Sequence, residues 1–295
     1  RLVAMHPWSE MVRFARTGGE ANAIAIRIAR AATGRETVAI CGYHGWHDWY
    51  LSANLKKNDA LGEHLLPGLS PVGVPDELKG TSFPFKYNDI DALKEIISRH
   101  SIGVIKMEVM RFQEPNDDFL ASVRKIADDQ NIVLIFDECT SGFRANFGGL
   151  HLKYGVTPDL AIFGKALGNG YPITAVIGKR EVMENAQSTF ISSTFWTDRI
   201  GPVAALASLE QMEKTQSWDH IQLIGNYLRI RLKDLAISTG IACNIQGLSS
   251  LFNYTINKKN DLIYKSLITQ NLLEKGYLAT TSHYLSIAHD EQTID

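Results

Sequence analysis

Residues 102–136, IGVIKMEVMRFQEPNDDFLASVRKIADDQNIVLIF, decide the fold. Two apolar runs, IGVIKME (102–108) and IVLIF (132–136), flank SVRKIADDQ (122–130), whose apolar residues recur at helical spacing. An apolar run without alternation suits a strand buried on both faces, and a helix between two such strands is the crossover of a parallel pair. The same alternation extends outward. VAIC (38–41) and LAIF (160–163) read as further strands, and DIDALKEIIS (89–98) as a helix capped by Asp89 or Asp91. EANAIAIRIARAA (20–32) reads as an amphipathic, Ala-rich helix. The fold class is α/β, a doubly wound, mostly parallel sheet.

From about residue 200 the pattern changes. GPVAALASLEQME (201–213) and a helical stretch from Trp218 to Ile237 precede IACNIQGLSSLFNYTI (241–256), which reads as strands, and a helix over 261–275. Residues 1–215 are therefore expected to form a large domain and 216–295 part of a smaller α+β C-terminal domain. The chain opens on Arg1 and stops within that second pattern, so it is read as a piece of a longer protein.

Of the 295 residues, 45% are hydrophobic and 21% charged, the composition of a soluble globular protein. Thirty basic against thirty-two acidic residues leave a net charge of -2, without the basic excess that nucleic-acid binding requires. The sequence has no apolar run of membrane-spanning length and no secretory pattern at its start. Cys41, Cys139 and Cys243 are an odd number without CxxC spacing, which favours reduced thiols and a cytoplasmic location.

Three places carry chemistry. Thr17, Gly18 and Gly19 precede the Ala-rich helix, whose unpaired N–H groups and dipole suit an anion, although a plain capped helix start uses the same residues. Neither GxGxxG nor a Walker loop is present. Asp137 and Glu138 follow IVLIF at the carboxyl end of a strand, where open α/β sheets bind ligands. There Asp137 can bind a metal, take a proton, hold a protonated heterocycle or cap the next segment. Lys165 ends the strand LAIF among Gly164, Gly168 and Gly170, which predicts a partly desolvated amine suited to Schiff-base chemistry. An anion site, a carboxylate for a ring nitrogen and an amine for an aldehyde are the three attachments of pyridoxal 5'-phosphate.

FDECTSGFRANFGG (136–149) followed by PDLAIFGKALGNGYP (158–172) resembles the signature of class III aminotransferases, pyridoxal-phosphate enzymes of fold type I. RFARTGGEANAIAIRIAR (13–30) is similar to the family's SGTEAN phosphate segment, and CGYHGWHD (41–48) to its aromatic-His-Gly turn. Within that family the chain resembles the glutamate-1-semialdehyde 2,1-aminomutase-like branch. The resemblance implies that Lys165 holds the cofactor as a Schiff base and shuttles a proton, while Asp137 keeps the pyridine nitrogen protonated. It further implies phosphate contacts from Thr17, Gly18 and Gly19, stacking by Tyr43 with His44 completing that turn, and Glu108 on the substrate side or in a structural ion pair. Arg144 falls at a structural position. Ser193 and Thr194 match a pair that reaches the phosphate of a neighbouring subunit, so a homodimer with small-molecule amino donors and acceptors is expected.

The chain departs from the family at Gly19, where threonine is usual, at Arg16, where a small polar residue is common, and at FWTDRIG (195–201). Two rival readings remain: a metal hydrolase built on His44, His47 and Asp48, and a member of the fold without catalysis.

Overall fold

The computed structural model describes residues 1–56, 60–62, 64, 68–257 and 261–295, apart from the side chains of Thr194 and Asp261. Two compact units emerge: Arg1–Val109 with Pro115–Phe143 and Gly148–Glu210, and Met110–Glu114 with Arg144–Phe147 and Gln211–Asp295.

In the first unit the strands are β1 (Met11–Ala15), β2 (Thr37–Cys41), β3 (Ser82–Pro84), β4 (Ile102–Glu108), β5 (Val133–Asp137), β6 (Leu160–Phe163) and β7 (Thr174–Gly178). They form one sheet of order β1-β7-β6-β5-β4-β2-β3. β3, β2, β4, β5 and β6 run parallel, whereas β7 is antiparallel to both β6 and β1. This is the mixed, mostly parallel α/β architecture expected from the apolar runs. β1, β3 and β7 escaped that reading because β1 and β3 are short and mixed in polarity and β7 follows a glycine-rich bend.

Local chemistry sets the helix ends. Thr17 caps the helix Gly18–Thr33 by accepting from the Glu20 N–H at 3.2 Å, and Gly34 ends it in the left-handed region. Gly18 and Gly19 thus lie inside the first turn, not before it. Asp89, and not Asp91, caps Ile90–Arg99 by accepting from the Ala92 N–H at 2.9 Å. The crossover helix begins three residues earlier than its apolar spacing suggested, at Phe119, and runs to Asp129. One face of the sheet packs Val38, Ile40, Val104, Ile135 and Ile162 against Ala21, Ile24, Ala25 and Ile28 of Gly18–Thr33; small residues bring that helix close.

In the second unit, β8 (Cys243–Leu248), β9 (Leu251–Ile256) and β10 (Ser282–Tyr284) form an antiparallel sheet. Its core joins Phe252 and Leu285 to Ile221 and Ile224 of the helix Ser217–Thr239. Gly225 is required there, because a Cβ would lie 1.9 Å from the Ser249 carbonyl oxygen. Arg144 belongs to this unit, where its guanidinium stacks over Tyr284 at 5.3 Å. No helix among the described residues is long and apolar enough to cross a membrane.

Candidate active site

The parallel register places the site. Glu108 of β4 stands beside Asp137 of β5, and Asp137 beside Ile162 of β6, three residues before Lys165. Their carboxyl ends therefore deliver both acids and the lysine to one edge of the sheet, the edge at which such sheets bind ligands.

Asp137 is buried and satisfied on both oxygens. Oδ2 accepts from Nδ1 of His44 at 2.9 Å and from Nζ of Lys106 at 3.2 Å, and Oδ1 from the Cys139 N–H at 3.2 Å. Burial alone pushes this carboxyl up, but the Lys106 ammonium and the bonds from His44 and Cys139 outweigh it and hold it well below the usual carboxylate range. For His44, burial and then the Lys106 ammonium lower the pKa. A neutral His44 donates through Nδ1, which leaves Nε2 as a buried acceptor with no hydrogen-bond partner. Neither Lys106 nor the pairing of His44 with Asp137 is among the features expected from the sequence. A lysine inside an apolar strand is the signal that could have found the first, since a buried ammonium needs a partner.

Lys165 opens a short 3-10 turn with a left-handed backbone, φ 44°. Its amine donates to the Thr140 hydroxyl at 2.9 Å. The side chain is exposed, not desolvated as expected, because the turn swings it off the end of β6. With Arg16, Gly18, Tyr171 and Thr174 it lines a cavity of about 290 Å³. Thr174 also donates its hydroxyl to the Thr17 carbonyl at 3.2 Å, tying β7 to the helix start.

The turn after β2 is held by Glu108, whose Oε2 accepts the Tyr43 N–H at 3.0 Å. Gly42 (φ 109°) allows this approach, because a Cβ would stand 2.7 Å from that oxygen. The missing threonine at position 19 has a physical cause in His47. A Cβ on Gly19 would fall 2.3 Å from Cε1 of the His47 ring. The two other departures meet each other: Arg16 pairs with Asp198 of FWTDRIG at 3.0 Å and lies over Phe195 at 5.4 Å. Ser193 spends its hydroxyl capping the turn Thr194–Thr197, accepting from the Phe195 N–H at 3.2 Å; the Thr194 side chain lies outside the described atoms.

The residues of the hydrolase reading do not assemble. His44 is engaged by Asp137, and His47 precedes the short helix Asp48–Leu51, not on one helical face with His44. Glu138 is bound to the Ser141 hydroxyl and to both the N–H and Nδ1 of His151, at 2.9 and 2.8 Å. No group of three or more His, Cys, Asp or Glu among the described residues could hold a metal.

A mostly parallel seven-stranded sheet, with a buried, ionised aspartate at the end of one strand and a lysine beyond the next, is the fold of the pyridoxal-phosphate transaminases of fold type I. The chain belongs to the class-III aminotransferase family, whose profile matches residues 1–289. It is 34% identical to a 3-aminobutyryl-CoA aminotransferase of Cloacimonas acidaminovorans over 92% of this chain and 63% of that protein. It is 33% identical to a glutamate-1-semialdehyde 2,1-aminomutase of Methanocaldococcus jannaschii over 100% of this chain and 74% of that protein. Among solved structures, an omega-transaminase from Sphaerobacter thermophilus aligns with TM-score 0.87 and 26% identity, over 99% of this chain and 73% of the other. The chain thus spans about two thirds to three quarters of the length of these proteins.

Proposed function

We propose that this chain is the cofactor-binding part of an enzyme that transfers an amino group on small molecules, as a transaminase or an aminomutase, with Lys165 carrying pyridoxal phosphate and Asp137 holding its ring nitrogen. The observation that carries this reading is the buried Asp137 carboxylate, kept ionised at a strand end next to the strand that bears Lys165.

Pyridoxal phosphate, the cofactor of the family, supplies an electron-withdrawing ring that stabilises negative charge on the substrate carbon. The protein's part is to bind and orient it and to move protons. Asp137 accepts from the ring nitrogen, while His44 and Lys106 keep its carboxylate charged and fixed. The Lys165 amine, open to the cavity, would hold the cofactor at its aldehyde and would serve as the base that moves the proton at the substrate carbon. Thr17, Gly18 and Gly19 hold the phosphate at the helix start, where first-turn N–H groups lack intrahelical partners. Tyr43 covers the ring face, positioned by the bond from its N–H to Glu108.

In this reading the first unit is the cofactor domain, expected over 1–215, and 216–295 is part of the smaller one, whose compact unit also takes in Met110–Glu114, Arg144–Phe147 and residues 211–215. Ser193 and Thr194 reach the phosphate of a second copy, which makes the assembly a homodimer. The three free cysteines suit the cytoplasm. The two relatives named above act as an aminotransferase and an aminomutase, and one lysine-aspartate pair serves both reactions. The test is a screen of amine donors and acceptors followed by the absorbance of bound cofactor. A spectral change with donors that acceptors reverse supports the reading; a cofactor spectrum indifferent to every amine opposes it.

A further inference from the structure

β4 is buried along its whole length, and Lys106 stands inside it with no exposed surface. An apolar residue there would spare the cost of burying an ammonium, so the fold has no need of a charge at this position. The register explains what the charge faces. Lys106 is beside Ile135 and Glu108 beside Asp137, so Lys106 and Asp137 project from one face of the sheet, one pleat apart along the strands. Nζ of Lys106 lies 3.2 Å from Oδ2 of Asp137, on the oxygen that also accepts from His44.

We propose that Lys106 is a positioning residue that draws on the charge of Asp137, so that the cofactor's ring nitrogen is less firmly protonated than it would be opposite an aspartate with no cation behind it. This rests on the assignment of Asp137 to the ring nitrogen made above. A carboxylate already bound to a buried ammonium is a weaker acceptor for a second cationic donor, and the ammonium repels the ring proton directly in a medium of low dielectric. The other titratable groups facing this pair are His44 from the turn after β2, Glu108 from β4, Cys139 after β5 and Lys165 after β6. None of these four takes over the role of Lys106: burial and Lys106 lower the pKa of His44, Glu108 is an acid and not a cation, the Cys139 thiol is pushed up by burial and by Asp137, and the Lys165 amine donates to the Thr140 hydroxyl and not to Asp137.

The experiment loads the chain with cofactor labelled with nitrogen-15 in the ring and follows the ring-nitrogen resonance with pH, in the wild type and in Lys106→Met, Lys106→Gln and Lys106→Arg. The charge-removing variants should keep the ring proton to a pH higher by about one unit or more, a tenfold gain in proton affinity, while Lys106→Arg follows the wild type. Titration of the His44 ring in the cofactor-free protein gives a second readout, and it should move up in Lys106→Met and Lys106→Gln. Superimposable ring-nitrogen curves for the wild type and both charge-removing variants overturn the role of Lys106 alone. A wild-type chain that takes up no cofactor on Lys165 overturns the functional reading as well.

Discussion

His44 and Asp137, 93 residues apart in sequence, share a buried hydrogen bond of 2.9 Å between Nδ1 and Oδ2. The bond joins the turn after β2, which carries Tyr43 and His44, to the acid at the end of β5. Lys106 completes the arrangement from β4. Three successive strands of the sheet thus fix one carboxylate, and the consequences are measurable.

Asp137→Asn keeps the size of the side chain and removes its charge. In the proposed role, loss of the carboxylate would release the proton of the ring nitrogen and leave the ring a poor electron sink. Proton abstraction from an amine substrate should fall by several orders of magnitude while cofactor remains bound, as measured by exchange of the substrate proton into heavy water. Near-normal exchange would contradict the role given to Asp137.

Gly19 is committed to the His47 ring. Gly19→Ala places a methyl group 2.3 Å from Cε1 of His47 and should destabilise the first unit by about 1 to 3 kcal/mol, the usual cost of overpacking. Adding His47→Ala should recover most of that loss, as read from denaturant midpoints of the single and double variants. Equal stability of wild type and Gly19→Ala would show that the ring yields freely.

Glu138 is a structural acid. Glu138→Ala strips His151 of the acceptor for its N–H and Nδ1 and leaves buried donors unsatisfied, at about 1 to 3 kcal/mol for each group. A fall of several kcal/mol in unfolding free energy is expected, and a loss below 1 kcal/mol would mean that water replaces the carboxylate.

Stability should decline on mild acidification. Burial lowers the pKa of His6 and His44 in the first unit and pushes His283 in the second down to about 4. Each is neutral when folded and ordinary, near about 6.5, when unfolded, so below that pH the unfolded chain takes up more protons. The contribution is complete above about pH 6.5 and is lost as pH falls through the folded values. Asp137, depressed in the folded state, acts in the same direction at lower pH: its share is present above about 3.9 and is lost as pH falls towards its folded value. Denaturant midpoints at pH 7.5 should exceed those at pH 5; a higher midpoint at pH 5 would contradict these burials.

What the sequence revealed follows from periodicity. β4, β5 and β6 were legible because burial on both faces leaves near-continuous apolar runs, and Asp137 and Lys165 because they end that pattern at or just beyond the strands. β1 and β7 were not: β1 is short and mixed in polarity, β7 follows a glycine-rich bend, and the two pair with each other from opposite ends of the first unit's sequence. Gly19 could be seen as a departure, but its reason lies in His47, brought to it by the fold. Lys106 stood in plain view within IGVIKME, yet only the register of β4 on β5 shows what its ammonium meets.

In the proposed function Lys165 carries the cofactor. Borohydride reduction of the chain with bound pyridoxal phosphate, followed by peptide mapping, tests it most directly. The pyridoxyl group should be found on Lys165 in the peptide that follows LAIF, and Lys165→Ala should take up none covalently while keeping its fold. Label on any other lysine, or undiminished labelling of Lys165→Ala, would contradict the account.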